Sequence, residues 1–234
     1  RNAGIMASEG EYVALLDADD LWLPDKLSLQ VASLETSSAA ACVCGYEMFN
    51  DRTRQITGVV AFRPGSRPVE SWLTLEGNGL LLPSTAVVRR AALDEMRGFD
   101  PELSVSADLD FAIRLESVGP VLALPETLVR YRLHDAQMHR RLSDLSHDMS
   151  LLYDRVFCGG NDGPLERRCR ANLEAYLGYS HMARGRPLVA LPLLLASLRR
   201  DPRRIVSLPL RAMARRLVRR IRALDPGRDR RSWS

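Results

Sequence analysis

The sequence has no long apolar run and only four cysteines. No stretch approaches the ~18 apolar residues of a membrane-spanning helix; the longest candidate, 187–198, is interrupted by Pro192. Cys42 and Cys44 alternate within an apolar, strand-like run and lack metal-ligand spacing, while Cys158 and Cys169 lie far away. We therefore expect structural thiols in a reducing, cytoplasmic compartment.

An excess of basic over acidic residues is lacking outside the last part of the chain. The net charge is +4, but residues 199–234 contain thirteen arginines and three aspartates, so residues 1–198 are net negative. This distribution argues against nucleic-acid binding, at least by the main body. Within the basic part, segment 204–224 has an apolar stripe with arginines around it. It either lies on an anionic membrane at the inner face or packs as a helix whose arginine face is solvated.

Strand-like and helical patterns alternate up to about residue 136. Apolar, β-rich runs occupy 11–16, 39–49 and 55–62, and 120–134 suggests two more short strands. The alternation predicts an α/β layer domain. Beyond it the pattern is helical, and 164–202 resembles one tetratricopeptide-type helix pair. We expect three parts: the α/β layer domain over 1–139, a helical region with the helix pair over 140–202, and the basic end over 203–234.

Two helix starts carry specific expectations. Pro24 suits the first position of a helix over 23–35, with Leu27, Val31 and Leu34 on one face. Ser106 is a natural N-cap for a helix that ends before Gly119.

Three carboxylates, Asp17, Asp19 and Asp20, directly follow the strand-like run 11–16. Ionised carboxylates this close repel one another. Either this is a solvated acidic turn or a cation belongs there. A position at the carboxyl end of a strand, where α/β sheets bind ligands, favours the cation, as does Trp22, which a solvated turn does not need.

The motifs resemble those of family 2 glycosyltransferases of the GT-A fold. "RNAGIMASEGEYVALLDADDLWLPDKLSLQ" is similar to the family's Arg-Asn-x-Gly, Gly-Glu-Tyr, Asp-x-Asp-Asp and Trp-x-Pro-Asp-Lys-Leu series. "LLLPSTAVVRRAALDEMRGFDPELSVSADLDFAIRL" and "VRYRLHDAQMH" resemble the second half and the closing segment of the catalytic domain. The resemblance covers residues 1 to about 139.

The resemblance implies an enzyme of polysaccharide biosynthesis. It would move a sugar from a nucleotide-diphosphate donor to the hydroxyl of a carbohydrate or lipid-linked acceptor, with inversion. Mn²⁺ or Mg²⁺ would be held at Asp19, with Asp17 nearer the ribose or acting through water. Arg1 and Asn2 would line the donor cleft. His134 either completes the metal site or is a surface histidine at a strand end.

A second set of residues is implied on the acceptor side. Asp108 occupies the family's base position, although relatives commonly carry Glu-Asp where this chain has Ala107-Asp108. The alternative role for Asp108 is to stabilise the start of a helix by its negative charge, and this is the role that we expect of Asp110. Arg114 is expected to pair with a core acid or to approach the diphosphate. The segment 82–84 (Leu82, Pro83, Ser84) corresponds to one near the donor sugar and acceptor.

The resemblance starts within a catalytic domain, because residue 1 is Arg and the leading strand–helix–strand unit of the family does not precede it. We therefore expect a fragment or processed chain: a partial GT-A sheet with flanking helices, followed by an all-α C-terminal tail. The alternative is a non-catalytic remnant or scaffold with an interaction-type helical tail.

Overall fold

The computed structural model describes residues 1–62, 70, 73–75, 83–134, 142–157 and 163–202. Three parts of the chain named above lie outside these ranges: Leu82, Cys158 and the basic segment 204–224. The chain divides into two compact units, residues 1–159 and 160–234.

The first unit contains a mixed sheet. Its strands are β1 (Tyr12–Ala14), β2 (Leu21–Trp22), β3 (Ala41–Asn50), β4 (Ile56–Val60), β5 (Ala86–Arg89) and β6 (Val121–Leu133). The strand order is β1-β5-β3-β6-β2, and β4 also pairs with β3. Only β3 and β6 run parallel; the other described pairings are antiparallel.

Five helices of the first unit and two of the second are described. They are α1 (Asn2–Ala7), α2 (Lys26–Glu35), α3 (Arg90–Met96), α4 (Ala107–Val118), α5 (Leu142–Val156), α6 (Pro164–Ala183) and α7 (Pro187–Arg200). The predicted α/β class with a helical C-terminal region is confirmed. No helix within the described ranges has the length and apolarity needed to cross a bilayer.

The strand β6 corrects the prediction of two short strands over 120–134. Cys44 pairs with Leu124 and Gly45 with Thr127, so the register jumps past Pro125 and Glu126. Proline has no N–H to donate, so it interrupts the ladder at an irregularity without ending the strand. The result is one strand of 13 residues that reaches the candidate site at its C-terminal end.

The buried face of α2 also differs from the prediction. The helix begins at Lys26, so Pro24 precedes its N-cap Asp25 and is not the first helical residue. Lys26, Gln30 and Leu34 are buried, whereas Leu27 is exposed. Polar residues turn inward because they find partners there: Gln30 Nε2 donates to the carbonyls of Cys42 and Thr85.

The core of the first unit contains two clusters that both include residues of β3. One cluster contains Cys44, Tyr46, Leu128 and Val129, and the other contains Leu34, Ala39, Cys42 and Val87. The described cysteines, Cys42, Cys44 and Cys169, are buried free thiols, as expected. Burial raises the pKa of Cys42 and of Cys44 to about 11.

The second unit is built on the α6–α7 hairpin. Gly178 lets α7 approach closely, because a Cβ there would lie 2.8 Å from Leu194. Ser197 Oγ donates to the carbonyl of Ala171 over 2.7 Å.

Candidate functional site

The acidic segment after β1 is anchored through Asp20, which is buried. Its Oδ2 accepts a 2.6 Å hydrogen bond from Ser84 Oγ, and its Oδ1 accepts one from the backbone N–H of Arg132 at 3.2 Å. Burial raises the pKa of Asp20 to about 6, against the opposite effect of the two hydrogen bonds. Asp20 therefore ties the segment to β6 and to the short 3₁₀ turn Pro83–Thr85.

Ser84 is the second anchor of the same segment. Its Oγ accepts the backbone N–H of Asp17 at 3.1 Å, and its carbonyl accepts the Trp22 indole N–H at 2.9 Å. The serine is completely buried. It therefore holds the backbone of the acidic segment from the protein interior.

Arg132 holds the segment from the β6 side. Its Nε donates to the carbonyl of Asp19 over 2.7 Å, and one terminal nitrogen donates to Asp51 Oδ1 over 2.6 Å. The guanidinium also lies 4.9 Å from the centre of the Phe49 ring. These contacts fix the position from which the Asp19 side chain projects.

Asp19 and His134 form a pair at the end of β6. Asp19 Oδ2 lies 2.9 Å from His134 Nε2, and the two side chains are 41% and 29% exposed. That separation is about the distance between two neighbouring ligands on an octahedral ion with bonds of ~2.1 Å. Across the described residues, no group of three or more His, Cys, Asp or Glu side chains could hold a metal ion. The pair therefore supplies one carboxylate oxygen and one imidazole nitrogen at the spacing that two neighbouring ligands of a divalent cation would have.

Arg1 joins Asp17 to Asp108. Its guanidinium donates to both oxygens of Asp17, at 2.9 and 3.0 Å, and also forms an ion pair with Asp108. Burial raises the pKa of Asp108, while the attraction of Arg1 opposes this rise. Burial lowers the pKa of Arg1, but the two carboxylates outweigh that effect and the net pKa is raised.

The ring of Phe99 lies below this ion pair. The Arg1 guanidinium is 5.1 Å from the ring centre, and Phe99 stacks on Phe111 of α4 at 4.2 Å. The described contacts of Asn2 are with the same residue: its amide donates to the Phe99 carbonyl at 2.7 Å and accepts the Phe99 N–H at 2.8 Å. Asn2 thereby fixes the turn after α3 next to Arg1.

Asp110 does more than the predicted charge stabilisation of a helix start. Its Oδ2 accepts two hydrogen bonds from Arg114, at 2.8 and 2.5 Å. Arg114 also donates to the carbonyls of Met96 and Gly98. Of the two roles expected for Arg114, the structure shows pairing with an acid. Its bonds to the two carbonyls join α4 to the end of α3.

The helix start itself corrects another expectation. Ser106 is the N-cap residue of α4, but its side chain makes no capping hydrogen bond. Its Oγ is buried and has no hydrogen-bond partner in the described part of the chain. The backbone N–H of Ser106 is instead taken by Asp148 of α5 at 3.0 Å.

The acidic residues converge around Tyr131 of β6. Burial and, after it, the negative charges of four aspartates raise the pKa of this tyrosine to about 12; these are Asp20, Asp19, Asp108 and Asp17. Four carboxylates, three from the acidic segment and one from α4, are thus within electrostatic reach of one phenol.

The structural roles of Arg132 and Asp148 were not found from the sequence. Arg132 lies in the quoted Tyr-Arg-x-His segment, so a signal existed. Asp148 has none, because its partners precede it by 42 to 44 positions.

Comparison with known proteins gives a family match. Residues 1–97 match the family described as "Glycosyl transferase family 2". An uncharacterized glycosyltransferase of Nostoc sp. is 31% identical over 142 residues, which are 59% of this chain and 44% of that relative. The chain thus spans less than half the length of this curated relative.

Two solved structures are similar to the chain. TarS 1–349 of S. aureus in complex with UDP-GlcNAc has a TM-score of 0.48 and 14% identity; the match covers 85% of this chain and 68% of that chain. A mannosyltransferase from Pyrobaculum calidifontis, in complex with GDP-Man and Mn²⁺, has a TM-score of 0.47 and 18% identity, covering 92% and 58%.

The family match covers Arg1, Asn2 and the acidic segment, and it agrees with the motifs on which the resemblance was first based. Over residues 1–97 the chain is therefore similar to glycosyl transferase family 2.

Proposed function

We propose that the chain transfers a sugar from a nucleotide-diphosphate donor to an acceptor hydroxyl, with inversion at the anomeric carbon. The observation that carries the proposal is the bridge that Arg1 makes between Asp17 and Asp108. It brings a carboxylate of the acidic segment and a carboxylate of the helix start α4 to one guanidinium. An in-line displacement needs these two kinds of group close together, with the leaving diphosphate and the base on opposite faces of the reacting carbon.

Asp108 acts as the general base. The acceptor hydroxyl gives its proton to the Asp108 carboxylate while its oxygen attacks the anomeric carbon. The bond from that carbon to the diphosphate oxygen breaks, and the nucleotide diphosphate leaves with the electron pair. A single displacement of this kind inverts the configuration.

Arg1 can exchange one ionic partner for another in this reaction, the Asp108 carboxylate for the donor's diphosphate. While Arg1 is paired with Asp108, the carboxylate that must accept the proton is engaged in an ion pair. A diphosphate is a competing anionic partner for the guanidinium, so a bound donor favours release of Asp108 toward the acceptor. Base activation is thereby coupled to donor occupancy.

Asp19 and His134 would hold Mn²⁺ or Mg²⁺, with Asp17 close by. Such a cation stabilises the negative charge that develops on the diphosphate as the glycosidic bond breaks. Three anchors keep the Asp19 carboxylate at the end of β6: Asp20, Ser84 and Arg132. The hydrogen bond that Arg132 donates to Asp19 goes to its backbone carbonyl, so its carboxylate stays available for the cation.

We further propose a carbohydrate or lipid-linked acceptor, met at a membrane surface through the basic segment 204–224. Its excess of arginine supports attraction to anionic lipid. Co-sedimentation with anionic vesicles at low salt, lost at high salt, is expected. Absence of binding at every salt concentration would end the membrane part of the proposal.

The direct test is a transfer assay with UDP-, GDP- and dTDP-sugars and Mn²⁺, in which the anomeric coupling constant of the product is read by NMR. Inverted product supports the proposal, and retained configuration contradicts the single displacement. If no donor yields transfer, the catalytic proposal fails and the scaffold alternative takes its place.

A further inference from the structure

A buried carboxylate on α5 is directed at the segment that leads into α4. Asp148 is 2% exposed, and its Oδ2 accepts the backbone N–H groups of Ser104, Val105 and Ser106 at 2.8, 2.7 and 3.0 Å. It also accepts the Ser104 hydroxyl at 3.2 Å. Consecutive N–H groups that converge on one point form an anion-binding concavity, and here the anion is part of the chain.

Asp148 binds the residues that lead into α4, up to its N-cap residue Ser106, which makes no side-chain cap. It does not accept the N–H groups inside the first turn that a capping side chain would take. The Asp148 carboxylate satisfies the N–H of the N-cap residue and puts a negative charge at the positive end of the helix. Asp108 lies two residues beyond Ser106 along the chain.

A second contact from the same helix ties down the start of this segment. Arg155 of α5 forms ion pairs with Asp100 and Glu102. The segment 100–106 is therefore held to α5 near both of its ends, and only the one at Asp148 is buried.

We propose that Asp148 is a positioning residue for Asp108: it orders segment 104–106 and so sets where α4 presents the base carboxylate. The inference rests on the proposed function for its catalytic part. The ordering of the segment stands on the four hydrogen bonds alone.

The test compares Asp148→Asn with Tyr153→Phe in the full chain. Asparagine keeps the shape of the side chain but removes its charge. Tyr153 is a matched control, since it is buried on the same helix and its hydroxyl donates 2.6 Å to the carbonyl of Leu73, away from segment 104–106. Each variant removes interactions of α5. Only Asp148→Asn removes interactions with the segment that leads to Asp108.

Two readouts separate positioning from stability. We expect amide hydrogen exchange over residues 104–110 to become at least about tenfold faster in Asp148→Asn and to change little in Tyr153→Phe. We expect kcat to fall at least about tenfold in Asp148→Asn, with the KM for the donor within about twofold of wild type. Tyr153→Phe should keep both kinetic constants.

The results for hydrogen exchange and for kcat test different parts of the proposal. Unchanged exchange at 104–110 overturns the ordering role, and faster exchange with unchanged kcat overturns the positioning of Asp108. Equal losses in the two variants reduce Asp148 to a general stabiliser. If the wild-type chain transfers no sugar, the proposed function fails by itself, and the exchange comparison still decides whether Asp148 orders the start of α4.

Discussion

At the scale of single residues, the three neighbouring carboxylates avoid mutual repulsion in three ways. Asp17 pairs with Arg1, Asp19 lies against His134, and Asp20 is buried among neutral donors with a raised pKa. The acidic turn is therefore a set of separately held side chains. Only Asp19 combines exposure with a neighbouring imidazole, which is why we assign the cation to it.

The base assignment predicts a rate effect that an adjacent acid does not share. Asp108→Asn should lower the transfer rate by ~10²-fold or more, because general base catalysis typically contributes 10²–10⁴-fold, while nucleotide binding is kept. Asp110→Asn is the control on the same helix. It should instead lower the free energy of unfolding by about 1.5–3 kcal/mol, since it weakens the hydrogen bonds from Arg114. Single-turnover kinetics and urea denaturation of both variants check this; equal rate losses would remove Asp108 from its role.

Lys26, the only lysine of the chain, gives a pH-dependent prediction. It is buried without a hydrogen-bond partner for Nζ among the described residues, and lies 4.4 Å from the centre of the Trp22 ring. Burial lowers its pKa to about 8. Below pH 8 the folded protein must keep a buried charge, at a cost of up to about 3 kcal/mol. Lys26→Met should therefore unfold at higher urea concentration than wild type at pH 7.

The sign of the pH dependence follows from proton binding. Between pH 8 and about 10.5 the unfolded chain holds the proton that the folded chain has lost, so wild type gains stability as pH rises. The advantage of Lys26→Met should then shrink from pH 8 to 9.5. The single lysine ¹³Cε resonance measures the pKa directly; a midpoint near 10.5 would contradict the burial argument.

At the scale of elements, the turn after α3 shows how a helix end positions the site. Arg97 and Gly98 both have positive φ, +60° and +70°, and a Cβ on Gly98 would lie 2.6 Å from Asn2 Oδ1. Position 98 therefore needs glycine for two reasons: the conformation of the turn and the close approach of Asn2. Asn2 directly follows Arg1 in the chain, so its position also sets that of Arg1.

Substitution of two glycines separates these requirements. Gly98→Ala should destabilise the first unit by about 1–2 kcal/mol for its left-handed φ and by at least ~1 kcal/mol more for the displaced Asn2 hydrogen bonds. Gly185→Ala has the same φ of +70° but no atom within 4 Å of the new Cβ, so only the first cost applies. Urea denaturation gives both values. Equal costs would show that Asn2 is not held by this contact.

The elements also show what a sequence can and cannot predict here. The alternation of strands and helices, the helix pair and the acids after β1 follow from local patterns and family motifs. The buried face of α2 does not, because Lys26 and Gln30 turn inward for partners on Trp22, β3 and the 3₁₀ turn. Likewise Ser106 has the local signature of a cap, yet a distant carboxylate takes its N–H. Those choices depend on tertiary partners that lie far away in sequence.

At the scale of the whole molecule, all described site residues belong to the first unit, residues 1–159. The helix α5 is part of this unit too, and through Asp148 and Arg155 it holds the segment before α4. The site thus depends on elements from both the family 2 region and the residues that follow it.

The central claim is that Asp19 makes nucleotide binding dependent on a divalent cation. The most direct measurement is calorimetric titration of UDP, GDP and dTDP into the wild-type chain with and without Mn²⁺, alongside Asp19→Ala and Asp94→Ala, an exposed acid on α3. We predict binding of at least one nucleotide that needs Mn²⁺, weakened at least about tenfold by Asp19→Ala and unchanged by Asp94→Ala. Binding that is independent of the cation and of Asp19, or no binding of any of the three, would contradict the account.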